Sequence, residues 1–175
     1  MSSFLYFAYG SNMLLQRLKE RCSSAVFQET VYVDGYSLNF SKKSIDDSGK
    51  ATIKQSGGGR VYGTVFELKD DDLERLDKAE GNGKGYTRND DFRVRSTITD
   101  HALQVSTYIA DHGSCDQSLR PYDWYLDLVI AGARQHSLPE EYIENLVSVE
   151  AVEDLSENRT SKREARQILN DAANN

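Results

Sequence analysis

The chain has 175 residues, 38% of them hydrophobic and 28% charged, and a net charge of −7 at pH 7. That length suits one domain with a real buried core. The acidic balance argues against a nucleic-acid partner, which needs a basic face, and no apolar stretch is long enough to cross a bilayer as a helix.

In chain order, Phe4-Leu5-Tyr6-Phe7-Ala8-Tyr9 is an apolar and aromatic run that ends in Gly10-Ser11-Asn12, with Leu14, Leu15 and Leu18 following at helical spacing. This reads as a buried strand, a tight turn and a helix over 13–21, with Ser11 or Asn12 as its cap. Val31, Val33, Tyr36, Leu38 and Phe40 mostly alternate and predict a strand over 30–40, with Asp34-Gly35 as a turn or bulge. Residues 41–49 read as a polar loop and 51–53 as a short strand. The glycine-rich stretch 55–60 reads as a flexible connection and not as a phosphate loop, because no Lys-Ser or Lys-Thr pair follows it.

Residues 61–68 alternate as a strand. Asp70-Asp71-Asp72 then opens a helix, where three acids suit the positive end of the dipole and supply a cap without any metal. Leu73, Leu76 and Ala79 form its inward stripe, and Gly81 closes it. Strands are expected over 92–99 and 103–110, joined at Asp100-His101. Helices are expected from Pro121, with Trp124, Tyr125, Leu128 and Val129 facing inward, and from Pro139, with Tyr142, Ile143, Leu146 and Val147. Residues 1–150 form the domain, and 151–175 form a charged C-terminal tail carrying a surface helix. The order implies an α+β fold with a mixed, strongly curved sheet, either open or closed into a small barrel.

Cys22 and Cys115 stand outside any CxxC pattern, and His101, His112 and His136 are scattered. With no secretion signal, both cysteines are expected as free thiols in a reducing, cytoplasmic setting. No metal site is expected, since His112 and Cys115 lack further ligands.

Glu80 is singled out on physical grounds. It falls at a helix C-terminus, where the dipole disfavours a carboxylate, and burial there would add to the effect. Such a group suits proton transfer near neutral pH, although a solvated helix end is the plainer reading of any one of 28 acids. Ten tyrosines form the other signal; Tyr9, Tyr86, Tyr108 and Tyr125 each fall at or near the end of an element.

Three segments in order then carry a resemblance. Tyr6-Phe7-Ala8-Tyr9-Gly10-Ser11-Asn12-Met13, Leu76-Asp77-Lys78-Ala79-Glu80-Gly81, and Tyr125 ahead of Leu128-Val129-Ile130-Ala131-Gly132-Ala133 together resemble the γ-glutamylcyclotransferase family, also called AIG2-like. Gly59-Arg60-Val61-Tyr62-Gly63-Thr64-Val65-Phe66 looks like its central strand and Leu138-Pro139-Glu140-Glu141-Tyr142 like its C-terminal helix start. The resemblance spans residues 4–147.

It implies a small mixed β-barrel flanked by helices, with a cavity at its mouth. It implies an enzyme that cyclises a γ-glutamyl amino acid or γ-glutamylamine to 5-oxoproline and frees the amine. Glu80 would be the general acid/base. Tyr9, Gly10, Ser11, Asn12, Met13 and Leu14 would form the substrate-binding loop, with Tyr125, Tyr86 and Tyr108 lining the cavity. No cofactor is implied. The partner is a small-molecule γ-glutamyl substrate, and a homodimer stays open. The tryptophan expected after the glycine-serine turn in the glutathione-specific branch is missing, which argues against glutathione as substrate. A non-catalytic module that binds a small ligand on the same fold, and a hydrolase using a metal at Asp70 to Asp72, are the alternatives.

Overall fold

The structure is a computed structural model that describes residues 2–174. The apolar run makes β1 (Ser3–Ala8). Two long strands, β2 (Val26–Lys43) and β3 (Gly49–Lys69), pair antiparallel; β4 (Tyr86–Ser96) and β5 (Ala102–Ala110) form a second hairpin. The strands close a barrel in the order β1-β3-β2-β4-β5. Closure runs through a parallel pairing of β1 with β5 at Tyr6 and Ser106, helped by Thr107 Oγ1 donating to the Phe7 carbonyl over 2.9 Å. A closed barrel leaves no unpaired edge.

The helices are α1 (Leu15–Arg21), α2 (Leu73–Glu80), α3 (Asp123–Gln135), α4 (Glu140–Val147) and α5 (Thr160–Ala173). The core joins Phe7, Val31, Val61, Val65 and Phe66 of the barrel to Met13, Leu18, Leu128 and Val129 beneath the helices. Residues beyond Glu150 are tied back to this body. Asp154 is buried and accepts from Trp124 Nε1 over 2.9 Å and from Arg159 Nε over 2.6 Å, and α5 lays Lys162, Ala165 and Ile168 inward.

Several local expectations differ from the structure for identifiable reasons. The stretch expected as a loop over 41–49 is strand as far as Lys43, with a turn only over residues 44–48. The glycine stretch expected as a flexible connection is continuous strand inside β3. It lies opposite the bulge between Asp34 and Tyr36, and a Cβ on Gly59 would fall 2.3 Å from the Tyr36 carbonyl oxygen, so glycine is what lets the two backbones meet there. The fourth strand begins at Tyr86, before the alternating stretch that announced it, because its first half pairs with the end of β5.

Helix ends also differ. Ser11–Met13 is a separate 3₁₀ turn, and neither Ser11 nor Asn12 caps a helix, because both side chains are drawn into tertiary hydrogen bonds. Asp70–Asp72 is likewise a 3₁₀ turn without a side-chain cap. The Asp72 carboxylate instead accepts from the Ser24 N–H over 3.0 Å and the Ser24 hydroxyl over 2.6 Å, fixing α2 against the turn that follows α1. Of the expected inward positions, Leu76 and Leu146 are buried, while Ala79 and Val147 face solvent at the trailing edges of their helices.

Candidate active site

Two chain segments far apart in sequence meet at the barrel mouth. One is the turn between β1 and α1. The other is the C-terminus of α2, which Gly81 ends in the left-handed conformation at φ 70°. That cap stops the helix where the Glu80 side chain projects toward the turn. Asn12 Nδ2 donates to Glu80 Oε1 over 2.8 Å and to the Tyr6 hydroxyl over 3.1 Å, while Asn12 Oδ1 accepts from Arg21 Nη1 over 2.9 Å. The amide is thus engaged on both its ends, which fixes its orientation. Arg21 Nη1 also donates to Glu80 Oε1 over 2.8 Å. The helix-end carboxylate, whose plainer reading is a solvated one, is held by a guanidinium and an amide.

Tyr6, Tyr9, Gly10, Ser11, Asn12, Ala51, Glu80, Tyr86, Tyr108 and Tyr125 line one cavity of about 30 Å³. Larger grooves of about 460 and 710 Å³ flank the outer arm of β2 and β3, but neither touches Glu80 or the Gly10 turn. The small cavity gathers a carboxyl, five phenols and a turn rich in N–H groups, which makes it the candidate site. Ser11 and Asn12 open the 3₁₀ turn, so their N–H groups have no acceptor within it.

The walls hold each other in place. Tyr9 donates its hydroxyl to the Tyr108 carbonyl, and Tyr108 donates to Asp77 Oδ1 over 2.7 Å, where Arg88 completes the set. The Tyr86 hydroxyl donates to the Ala51 carbonyl over 2.6 Å, and the Ala51 N–H donates to the Tyr125 oxygen over 3.1 Å. Burial, and behind it the Glu80 carboxylate, pushes the Tyr6 and Tyr9 phenols above their ordinary range; burial does the same for Tyr86, Tyr108 and Tyr125. All five therefore stay neutral at physiological pH, and Glu80 is the one carboxyl lining the cavity.

The chain as a whole has relatives. The AIG2-like family model matches residues 60–146. A γ-glutamylcyclotransferase of Bos taurus is 34% identical over 157 residues, covering 85% of this chain and 79% of the relative. One of Homo sapiens is 33% identical over 153 residues with the same coverage. A solved γ-glutamyl cyclotransferase superposes with a TM-score of 0.87 at 28% identity, over 97% of this chain and 99% of the other. The chain belongs to the γ-glutamylcyclotransferase family.

For a γ-glutamylcyclotransferase, the expected residues divide into two groups. Tyr9, Gly10, Ser11, Asn12, Glu80, Tyr86, Tyr108 and Tyr125 converge on the cavity. Met13 and Leu14 do not line it. Their side chains are buried on the far side of the turn, Met13 against Gly132 of α3, and the Met13 carbonyl contacts His136 Nε2 at 2.9 Å.

Four residues of the site escaped sequence reasoning. Tyr6 and Ala51 lie inside ordinary apolar strand patterns, which carry no sign of a site. Arg17 and Arg21 did leave one: arginines at i and i+4 share a helix face, and the helix follows directly on the Gly-Ser-Asn turn. Arg17 Nε donates to the Ser11 hydroxyl over 3.1 Å. Burial, and then Arg21 beside it, pushes the Arg17 guanidinium down to about 10, still charged at neutral pH. Among the described residues no group of three or more His, Cys, Asp and Glu side chains converges as metal ligands would.

Proposed function

We propose that this chain is a γ-glutamylcyclotransferase that closes the glutamyl moiety of a γ-glutamyl amino acid or amine on itself, forming 5-oxoproline and releasing the amine. The observation that carries this reading is the single carboxyl of Glu80 facing the Gly10-Ser11-Asn12 turn across one small, tyrosine-walled cavity.

The α-amine of the glutamyl group attacks its own γ-carbonyl and closes a five-membered ring. The nucleophile belongs to the substrate, so the protein's task is to hold a folded conformer and move protons. Orientation of this kind is worth up to roughly 7–11 kcal/mol. The substrate reacts as its free α-amine, the ammonium proton passing to solvent, and Glu80 takes a second proton from the attacking nitrogen as the new C–N bond forms. The N–H groups at the head of the 3₁₀ turn face the oxyanion of the tetrahedral intermediate. Glu80 then delivers the proton to the departing nitrogen as its bond to carbon breaks, and the carboxylate is restored.

Two features support these roles. The five phenols are neutral, so they bind polar substrate atoms without competing for the proton. Arg21 and Asn12 both bind the same oxygen of Glu80, leaving Oε2 as the oxygen free to work. A cavity of about 30 Å³ holds little more than a water-sized group, so a glutamyl moiety binds with outward movement of the mouth residues.

The test is incubation of the purified protein with a panel of γ-glutamyl amino acids and γ-glutamylamines, following 5-oxoproline by mass spectrometry. Product is expected from the wild type. Glu80→Gln keeps the fold and loses about 10²–10⁴-fold in turnover. A fully active Gln variant overturns the assignment of Glu80.

A further inference from the structure

Two lysines beside wall tyrosines of the cavity stand in different electrostatic situations. Lys42 and Lys50 are direct partners across the β2–β3 pairing, so their side chains leave the same face. Lys50 Nζ lies 4.5 Å from the centre of the Tyr125 ring and 4.6 Å from that of Trp124. Lys42 Nζ lies 5.0 Å from the centre of the Tyr86 ring. Tyr86 and Tyr125 are the two walls whose hydroxyls hold the Ala51 carbonyl and the Ala51 N–H, so each lysine stands next to a wall of the cavity without lining it.

Like charges on facing positions of a sheet repel, and only one of these is neutralised. Lys50 Nζ is 3.1 Å from the Asp46 carboxylate. Lys42 Nζ has no hydrogen bond and no ion pair among the described residues; Glu80, Cys115, Asp46 and Asp111 act on it only at longer range. Its side chain is half-buried, packed against Gly85 with Ser114 nearby, and burial lowers the ammonium pKa. An ammonium held in this way has lost part of its hydration and faces only the Tyr86 ring, so an incoming anion would supply the counter-charge it lacks.

The chemistry of the substrate supplies such an anion. In a γ-glutamyl amino acid the leaving nitrogen sits on a carbon that also bears a carboxylate, two bonds from the bond that breaks. A γ-glutamylamine has no charge there. We propose that Lys42 is a specificity residue that binds the carboxylate of the departing amino acid at the cavity mouth and so selects γ-glutamyl amino acids over γ-glutamylamines. The inference rests on the cyclotransferase reading and adds to it the feature of the leaving group that the enzyme reads.

The experiment compares γ-glutamyl-L-alanine with γ-glutamylethylamide, which differ only by the carboxylate. kcat/KM is measured for the wild type, Lys42→Met and Lys42→Arg, with thermal melts to show that each variant is folded. The wild type is expected to prefer the alanine substrate by about tenfold or more, as loss of one charge-assisted hydrogen bond implies. Lys42→Met loses that preference through the alanine substrate alone, and Lys42→Arg recovers much of it. Equal loss on both substrates, or a preference that survives in Lys42→Met, overturns the assignment of Lys42 while leaving the cyclotransferase reading intact. Failure of the wild type to make 5-oxoproline from either overturns both.

Discussion

Arg21 Nη1 stands 2.8 Å from Glu80 Oε1 and 2.9 Å from Asn12 Oδ1, so one nitrogen ties the turn after β1 to the end of α2. The two charged side chains are 24% and 18% exposed, enough shielding for the contact to matter. A charged hydrogen bond of this kind contributes about 1.5–3 kcal/mol, whereas an exposed ion pair contributes little. Under the proposed mechanism Arg21 is a positioning residue: it would aim Glu80 without lining the cavity itself.

Arg21→Met is expected to lower kcat about tenfold or more while changing KM much less, because substrate contacts remain and only the aim of Glu80 is lost. Arg21→Lys recovers part of kcat, since an ammonium keeps the charge but sits on a shorter side chain without the rigid planar group that holds Nη1 between the two oxygens. Initial rates over a substrate range decide this. An unchanged kcat in a folded Arg21→Met variant would remove the positioning role.

Gly132→Ala probes the other side of the turn. A Cβ on Gly132 would lie 2.5 Å from the Leu14 nitrogen and 2.7 Å from Met13 Cβ, both too close to be absorbed without moving backbone. Overpacking of this kind costs about 1–3 kcal/mol. For a chain of this size each kcal/mol corresponds to roughly 2–4 °C in Tm. Calorimetry should show the drop, and activity should fall with it as the Gly10-Ser11-Asn12 turn is pushed off α3.

The two thiols are expected to behave differently. Burial, then the Asp72 carboxylate, pushes the Cys22 thiol up to about 12, and its sulfur is fully enclosed. Cys115 is partly exposed. With a thiol reagent at pH 8 the folded protein should release one equivalent quickly and the second only in denaturant. Cys115→Ser should abolish the fast phase; a fast phase that persists in that variant means Cys22 is reached in the native state.

Acid stability follows from buried partners. At Asp77, burial raises the carboxyl pKa, but hydrogen bonds from Tyr108 and Arg88 outweigh it and the net shift is downward. At Asp154, burial is likewise outweighed by Arg159, the Ser156 N–H and Trp124. Burial lowers the His136 pKa, with its contact to the Met13 carbonyl opposing. Each of these groups binds fewer protons folded than unfolded, so each contributes stability that is complete above its unfolded pKa and is lost as pH falls. The unfolded values are about 6.5 for His and about 3.9 for Asp. The urea midpoint should therefore begin to decline below about pH 6.5 and fall more steeply below about pH 4. A midpoint that stays level down to pH 3 contradicts this account.

Much of the barrel was legible from local pattern. The alternation over 61–68, the bulge at Asp34-Gly35 and the Gly81 cap all stand in the structure as expected, because each depends on neighbours in the chain. The glycine stretch in β3 misled because glycine is equally the mark of a flexible link and of two backbones in close approach. Only the facing strand tells the two apart, and here the Tyr36 carbonyl does so.

By itself the sequence determined that the chain makes a mixed barrel with flanking helices, that it belongs with the γ-glutamylcyclotransferases, and that Glu80 ends a helix. Those properties reside in apolar periodicity, turn chemistry and ordered motifs. Tertiary structure alone decided which side chains share the cavity. Arg21 and Glu80 are 59 positions apart, and Tyr125 reaches Ala51 across 74. No local rule couples residues at such separations; the closure of β1 on β5 and the packing of α1 and α2 at the barrel mouth bring them within hydrogen-bonding distance. The same closure leaves Lys42 beside Tyr86 with no ion pair among the described residues.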